Sequence, residues 1–169
     1  MLKIIITGSE SSGKTTLCKA LSKHFKIPYT EEYAREYLNN LGREYKKEDL
    51  KEIAKKQLEN EQTINKKNQL SLYDTDLITI KIWSEYIYGN CDKWILDQIE
   101  KQKSENRYYL LCRPDIPWEA DPLRESPIDR EKLFGIYKRE IEELEHEYLI
   151  IEGENRFKNS ISKISNLIS

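Results

Sequence analysis

Valine is absent from this 169-residue sequence, and histidine, cysteine and methionine number only two, three and one. His24 and His146 are too few for a histidine-based zinc site, and no H-x-G-H nucleotidyl-transfer motif is present. Cys18, Cys91 and Cys112 lie far apart, with no metal-ligand spacing and no disulfide framework. Isolated thiols of that kind suit a reducing compartment, and the expected location is cytoplasmic. There is no polybasic run: 28 Lys and Arg face 30 Asp and Glu, for a net charge of −2. A duplex-binding protein would show a basic stripe, so no nucleic-acid partner is expected. No apolar stretch approaches the ~18 residues of a membrane span, and no basic-then-apolar leader opens the chain.

What the chain does have is charge and branched aliphatics. Charged residues are 34% of the total, a level at which disorder becomes a concern. Ile, Leu and Phe nonetheless number 42 of 169, above the ~20% below which chains stay disordered. The length allows one domain, residues 1–169. Short apolar runs at Leu2–Thr7, Ile27–Thr30, Leu70–Tyr73, Arg107–Cys112 and Tyr148–Ile151 read as strands. Helical patterns fall between and after them: Lys14–Phe25, Glu31–Leu41, Arg43–Asn68, Leu77–Tyr88, Cys91–Glu105, Pro127–Glu147 and Arg156–Ile168. Alternation of this kind predicts an α/β fold, a parallel five-stranded sheet sandwiched between two helical layers. One connection, Arg113 to Ser126, is long and proline-punctuated, as lids often are.

Between the first strand and first helix stands Gly8-Ser9-Glu10-Ser11-Ser12-Gly13-Lys14-Thr15, a match to G-x-x-x-x-G-K-[ST]. The glycines permit backbone angles and a close approach that side chains would block. Successive N–H groups then face one concavity and bind phosphate, assisted by the N-terminus of the following helix. Lys14 is expected between β- and γ-phosphates, and the Thr15 hydroxyl on Mg²⁺. The strand-then-helix context is the one the motif requires, so nucleotide binding is predicted.

Three further features bear on the reaction. Asp74-Thr75-Asp76 follows the third strand, where a magnesium ligand or catalytic base belongs, though either carboxylate can instead cap the next helix. The lid-like connection carries Arg113, Arg124 and Arg130, which either close on a transferring phosphoryl group and neutralise its charge or are ordinary surface arginines. Glu32 and Arg35 sit three apart at the start of a helix, either facing a substrate or forming an ordinary surface ion pair.

In combination, ITGSESSGKTTL, EEYAREYL, DTDLITIKIW and RPDIPWEADPLRESPIDREKLF give a sequence that resembles the NadR-type nicotinamide riboside kinase domain over essentially its whole length. The resemblance implies a P-loop kinase with strand order 2-3-1-4-5 and a lid at about residues 113–130. It implies ATP-dependent phosphorylation of the ribose 5′-hydroxyl of nicotinamide riboside, a step of NAD biosynthesis, with ATP and Mg²⁺ as cofactors. Gly8, Ser9, Glu10, Ser11, Ser12, Gly13, Lys14, Thr15 and Thr16 would hold the nucleotide, and Thr15 with Asp74 the metal. Asp74 would alternatively take the hydroxyl proton, and Asp76 would help hold the ribose. Glu32, Tyr33 and Arg35 would face the acceptor, and Trp118 and Asp121 would line the site beneath the lid, with Trp118 alternatively packed as a lid anchor. Arg124 and Arg130 would reach the phosphates. One departure from the family pattern is Glu31, where an aromatic residue commonly precedes E-Y-x-R; another is Pro122, where glycine is expected.

Two other readings stay open on the residues alone: a kinase of another nucleoside or nucleotide, and a regulatory ATP- or GTP-binding module. Against a GTPase, no N-K-x-D guanine-recognition motif occurs. An AAA+ machine would need an additional helical domain for which this length leaves no room. The adenylyltransferase domain often joined to NadR-type kinases is likewise expected to be missing from this chain.

Overall fold

A computed structural model describes residues 1–63, 69–125 and 127–169. The chain runs β1 (Leu2–Thr7), α1 (Lys14–Phe25), β2 (Tyr29–Thr30), α2 (Tyr33–Asn40), α3 (Lys47–Thr63), β3 (Leu70–Asp74), α4 (Leu77–Tyr88), α5 (Lys93–Gln102), β4 (Arg107–Cys112), α6 (Arg130–Glu143), β5 (Glu147–Ile151) and α7 (Arg156–Ile168). The strands form one parallel sheet in the order β2-β3-β1-β4-β5. The expected fold class and strand order are therefore those observed.

Side chains alternate across each strand, so the isoleucine run of β1 serves both faces of the sheet. Ile5, with Tyr73, Tyr109 and Leu111, packs under α3, α4, α5 and α6. Ile4 and Ile6, with Leu72, Leu110 and Cys112, pack against α1 and α7. Each fully buried Ile or Leu contributes about 1.5–3 kcal/mol, which is why strands lacking polar alternation are stable only at the centre of a covered sheet.

The structure trims several helices for identifiable reasons. The charged segment from Arg43 becomes helical only at Lys47. Asp49 lies almost buried and accepts bonds from Lys46 N, Tyr37 Oη and two Arg43 nitrogens, at 2.7–2.8 Å, and so holds residues 43–46 as a turn. The end expected for that helix, residues 64–68, lies outside the described residues, as does Ser126. Asp92 begins α5 by accepting from Trp94 N at 2.8 Å. β2 shrinks to two residues, and α6 starts at Arg130, three residues later than its pattern suggests. No helix among the described residues is long and apolar enough to cross a membrane.

Candidate functional site

β1 delivers the chain to Gly8 at the carboxyl edge of the sheet. At φ +138°, a Cβ on Gly8 would lie 2.6 Å from the Cys112 carbonyl oxygen of the neighbouring strand, so no other residue fits there. Gly13, at φ +84°, turns the chain into α1. The first turn of α1 has neither a side-chain cap nor an acidic residue. Its N–H groups and the helix dipole are therefore available to an anion. Inside the loop, Ser12 Oγ and Lys14 Nζ both donate to the Ser9 carbonyl, at 2.7 and 2.9 Å.

Thr15 Oγ1 donates to Asp74 Oδ2 at 2.6 Å. Asp74 is 2% exposed, and its Oδ1 has no hydrogen-bond partner among the described residues. Burial, first, pushes its carboxyl up, while the Thr15 hydrogen bond and the nearby Lys14 charge pull it back. A hydroxyl and a half-satisfied buried carboxylate are hard oxygen donors of the kind Mg²⁺ takes alongside water and substrate phosphates. The residues fit that ion.

A cavity of about 260 Å³ opens directly from the loop. Gly8 to Thr16 form one wall, with Glu32, Ala34, Arg35 and Leu38 from around α2. Ile82, Trp83 and Tyr86 of α4, Tyr137 of α6, and Glu119, Leu123, Arg124 and Glu125 also line it. The 113–125 connection folds over this space. Glu119 N donates to Ser11 Oγ at 2.9 Å, Glu125 N to Glu10 Oε2 at 3.0 Å, and Arg35 pairs with Asp121 at 2.8 Å. Trp83 Nε1 donates to Tyr45 Oη at 3.1 Å, and Tyr45 Oη donates to Glu125 Oε2 at 2.9 Å. Glu32 sits half-buried near Lys14, Asp74, Arg35 and Glu10; burial chiefly drives its carboxyl up, with Lys14 opposing.

The structure brings the whole loop, Glu32, Arg35 and Arg124 to this cavity, with Asp74 one layer behind Thr15. Asp76 is a correction. It is fully buried, caps α4 by accepting from Ile78 N at 3.1 Å, and accepts from Tyr109 Oη at 2.6 Å and Arg107 Nη1 at 3.1 Å. Its side chain has no exposed surface, so a ribose in the cavity does not reach it. Arg107 also pairs with the buried Glu61 at 2.7 Å, so the cluster is an internal ionic network. Thr75, at φ +68°, turns the chain between the two carboxylates.

Other expected residues also stand back from the cavity wall. Tyr33 lines a separate groove with Tyr29, Glu31 and Glu36. Asp121 is engaged by Arg35, and Trp118 lies beneath the guanidinium groups of Arg124 and Arg130, 5.9 and 5.6 Å away. Arg130 does not point into the cavity; it donates to the Ser11 and Ile116 carbonyls at 3.1 and 3.0 Å. Arg113 lies over the Phe134 ring. Sequence reasoning missed the Tyr137 wall, which carries no motif, and Arg156, which bonds the Ser12 carbonyl from the far end of the chain.

Sheet order, cradle and the hydrogen bond from Thr15 to the buried Asp74 together define a P-loop nucleotide-binding domain of the kinase type. The AAA domain family matches residues 3–157, and the chain belongs to that family. Among curated proteins, it is 27% identical over 159 residues to the trifunctional NAD biosynthesis/regulator protein NadR of Escherichia coli (strain K12), covering 90% of this chain. It spans only 38% of that relative's length. Among solved structures it is similar to a NadR protein in complex with NR, with a TM-score of 0.75 and 23% identity over 98% of this chain and 51% of the other. A thymidylate kinase from Ehrlichia chaffeensis gives a TM-score of 0.64 at 15% identity, covering 99% of this chain and 98% of the other. Those two likenesses establish the fold.

Proposed function

We propose that the protein is an ATP-dependent small-molecule kinase acting on the 5′-hydroxyl of nicotinamide riboside. The observation that carries the reading is the cavity beside the cradle, which sets three aromatic rings (Trp83, Tyr86 and Tyr137) among four carboxylates (Glu10, Glu32, Glu119 and Glu125). A flat, cationic pyridinium is favoured there by stacking and by attraction to both ring faces and acid groups. Glu31 stands outside this cavity, hydrogen-bonded to Tyr29 at 3.1 Å, so the aromatic surface comes from α4 and α6 instead. The resemblance of the chain to NadR proteins supports the same choice.

Phosphoryl transfer needs alignment and charge neutralisation more than covalent help. The loop amides and Lys14 hold the nucleotide phosphates, and Arg124 adds positive charge from the connection above, which acts as the lid. Thr15 and Asp74 would hold Mg²⁺, which would supply further neutralisation. Asp74 is screened from the cavity by Thr15, so the hydroxyl proton is assigned to Glu32, whose raised carboxyl lies on the cavity wall. Lid closure over the acceptor excludes water and limits idle hydrolysis of ATP.

The test is ADP release by the purified protein with ATP, Mg²⁺ and a panel of nucleosides and nucleotides. Release that depends on nicotinamide riboside supports the reading. Release with every acceptor omitted, at the same rate, points to a regulatory nucleotide hydrolase and defeats it.

A further inference from the structure

Two arginines that do not reach into the cavity touch the cradle from behind. Arg130, the first residue of α6, donates through Nη1 to the Ser11 carbonyl at 3.1 Å. Arg156, the first residue of α7, donates through Nη1 to the Ser12 carbonyl at 2.8 Å. These are consecutive carbonyls of the phosphate-binding loop. In a trans peptide the C=O of one residue and the N–H of the next point in opposite directions within one rigid plane. Fixing the Ser11 oxygen therefore fixes the Ser12 N–H, and fixing the Ser12 oxygen fixes the Gly13 N–H, each directed away from the arginine that holds its plane.

We propose that Arg130 and Arg156 are positioning residues that aim the Ser12 and Gly13 amides into the phosphate site. Each guanidinium is itself pinned. Arg130 also bonds the Ile116 carbonyl at 3.0 Å. Arg156 bonds the Arg113 carbonyl at 2.6 Å and pairs with Asp115, whose other carboxylate oxygen accepts from Gly153 N at 2.7 Å. Gly13 leaves room for this arrangement: a Cβ there would lie 3.7 Å from Arg156 Nη1 and 3.3 Å from the Ile116 side chain. The fork of a guanidinium is what allows one side chain to hold two carbonyls and a carboxylate at once, which a lysine ammonium cannot reproduce. The same contacts join the cradle to the base of the lid through Arg113, Asp115 and Ile116.

This inference rests on the cradle binding nucleotide phosphate, not on the identity of the acceptor. Its test is titration of ADP, and of inorganic tripolyphosphate as a base-free probe, into the full chain and its variants without acceptor. Arg156→Met is expected to weaken both probes about tenfold. Arg156→Lys should stay close to the methionine variant, because it keeps the charge and loses the fork. Arg130→Met should likewise raise the Kd for ADP and the KM for ATP, leaving the KM of the acceptor unchanged. Binding of both probes within twofold of the parent in Arg156→Met overturns the proposal, and so does full recovery in Arg156→Lys. So does a fall in kcat without change in ADP affinity in Arg130→Met, which would assign that side chain to the transferring phosphoryl group. If Arg156→Met does not fold, Asp115→Asn decides: weaker ADP binding supports the proposal, and unchanged binding overturns it. A parent that binds ADP tightly yet phosphorylates no nucleoside defeats the functional reading alone.

Discussion

Thr15 and Asp74, 59 residues apart, share a 2.6 Å hydrogen bond that ties the first turn of α1 to the end of β3. The bond leaves the second carboxylate oxygen buried and unpartnered among the described residues. Burying a carboxylate with one open lone-pair set is costly unless something binds there. Burial of the carboxylate therefore carries a stability penalty, and the proposed binding of Mg²⁺ there would respond to pH in the opposite direction.

Because the Asp74 carboxyl is raised in the folded protein, its charged form is penalised by folding. The sign follows: without metal, its contribution to stability is greatest below the unfolded value of about 3.9 and falls as pH rises through the folded pKa. Asp74→Asn should therefore raise Tm at pH 7 while removing Mg²⁺-dependent activity. That gain in Tm should vanish in acid. In the parent, Mg²⁺ affinity should weaken as pH is lowered through the same raised pKa. Thermal melts and Mg²⁺ titrations across pH check both slopes.

Lys14→Ala should lower turnover by roughly 10²–10³-fold, the scale of losing one preorganised charge-stabilising donor. The fold should persist, since the Ser9 carbonyl that Lys14 holds is also held by Ser12. Steady-state kinetics with a melting curve measure the two separately; near-normal turnover would rule out the proposed charge arrangement.

The buried network predicts the relative cost of three variants. Arg107→Met leaves Asp76 and Glu61 both without a cation and should cost about 3–5 kcal/mol. Asp76→Ala loses the α4 cap and one of Arg107's partners, and should cost less, about 2–3 kcal/mol. Asp76→Asn keeps the shape and leaves Arg107 paired with Glu61, but its amide NH2 must face either the Ile78 N–H or the donors of Arg107 and Tyr109, so it should cost about as much as Asp76→Ala. Urea unfolding gives the ranking. An Asp76→Asn variant with normal stability and a specifically raised acceptor KM would restore the ribose role.

Gly8→Ala forces a Cβ against backbone, the Cys112 carbonyl at 2.6 Å, at a φ of +138°. Neither strand can yield without disturbing the β1–β4 ladder. Expected are a lower urea midpoint and at least tenfold weaker ADP binding; parent-like values for both would contradict the packing described.

Much of this was legible in the residues, for local reasons. The apolar run of β1, the glycines of the loop and the periodicity of α1 occur in one contiguous stretch, so strand, cradle and helix could be placed together. The two carboxylates of Asp74-Thr75-Asp76 could not be told apart, because a spacing of two puts both on one face of an ordinary strand. Only the positive φ of Thr75 and the distant Arg107 and Tyr109 send Asp76 elsewhere. The start of α3 was hidden for a similar reason: Asp49 looks like any surface acid until Arg43 and Tyr37 fold onto it. Arg156 belongs to no motif, and its place beside the loop depends on the last helix lying against the first.

The position of Trp83 has an optical consequence. Its indole forms part of the cavity wall and is oriented by its hydrogen bond to Tyr45. A ring taken up against that wall should change the fluorescence of the indole. Of the other two tryptophans, Trp118 sits on the connection above the site and Trp94 on α5, away from the cavity. Single-tryptophan variants of the chain would thus separate acceptor uptake from lid motion, with no dye attached.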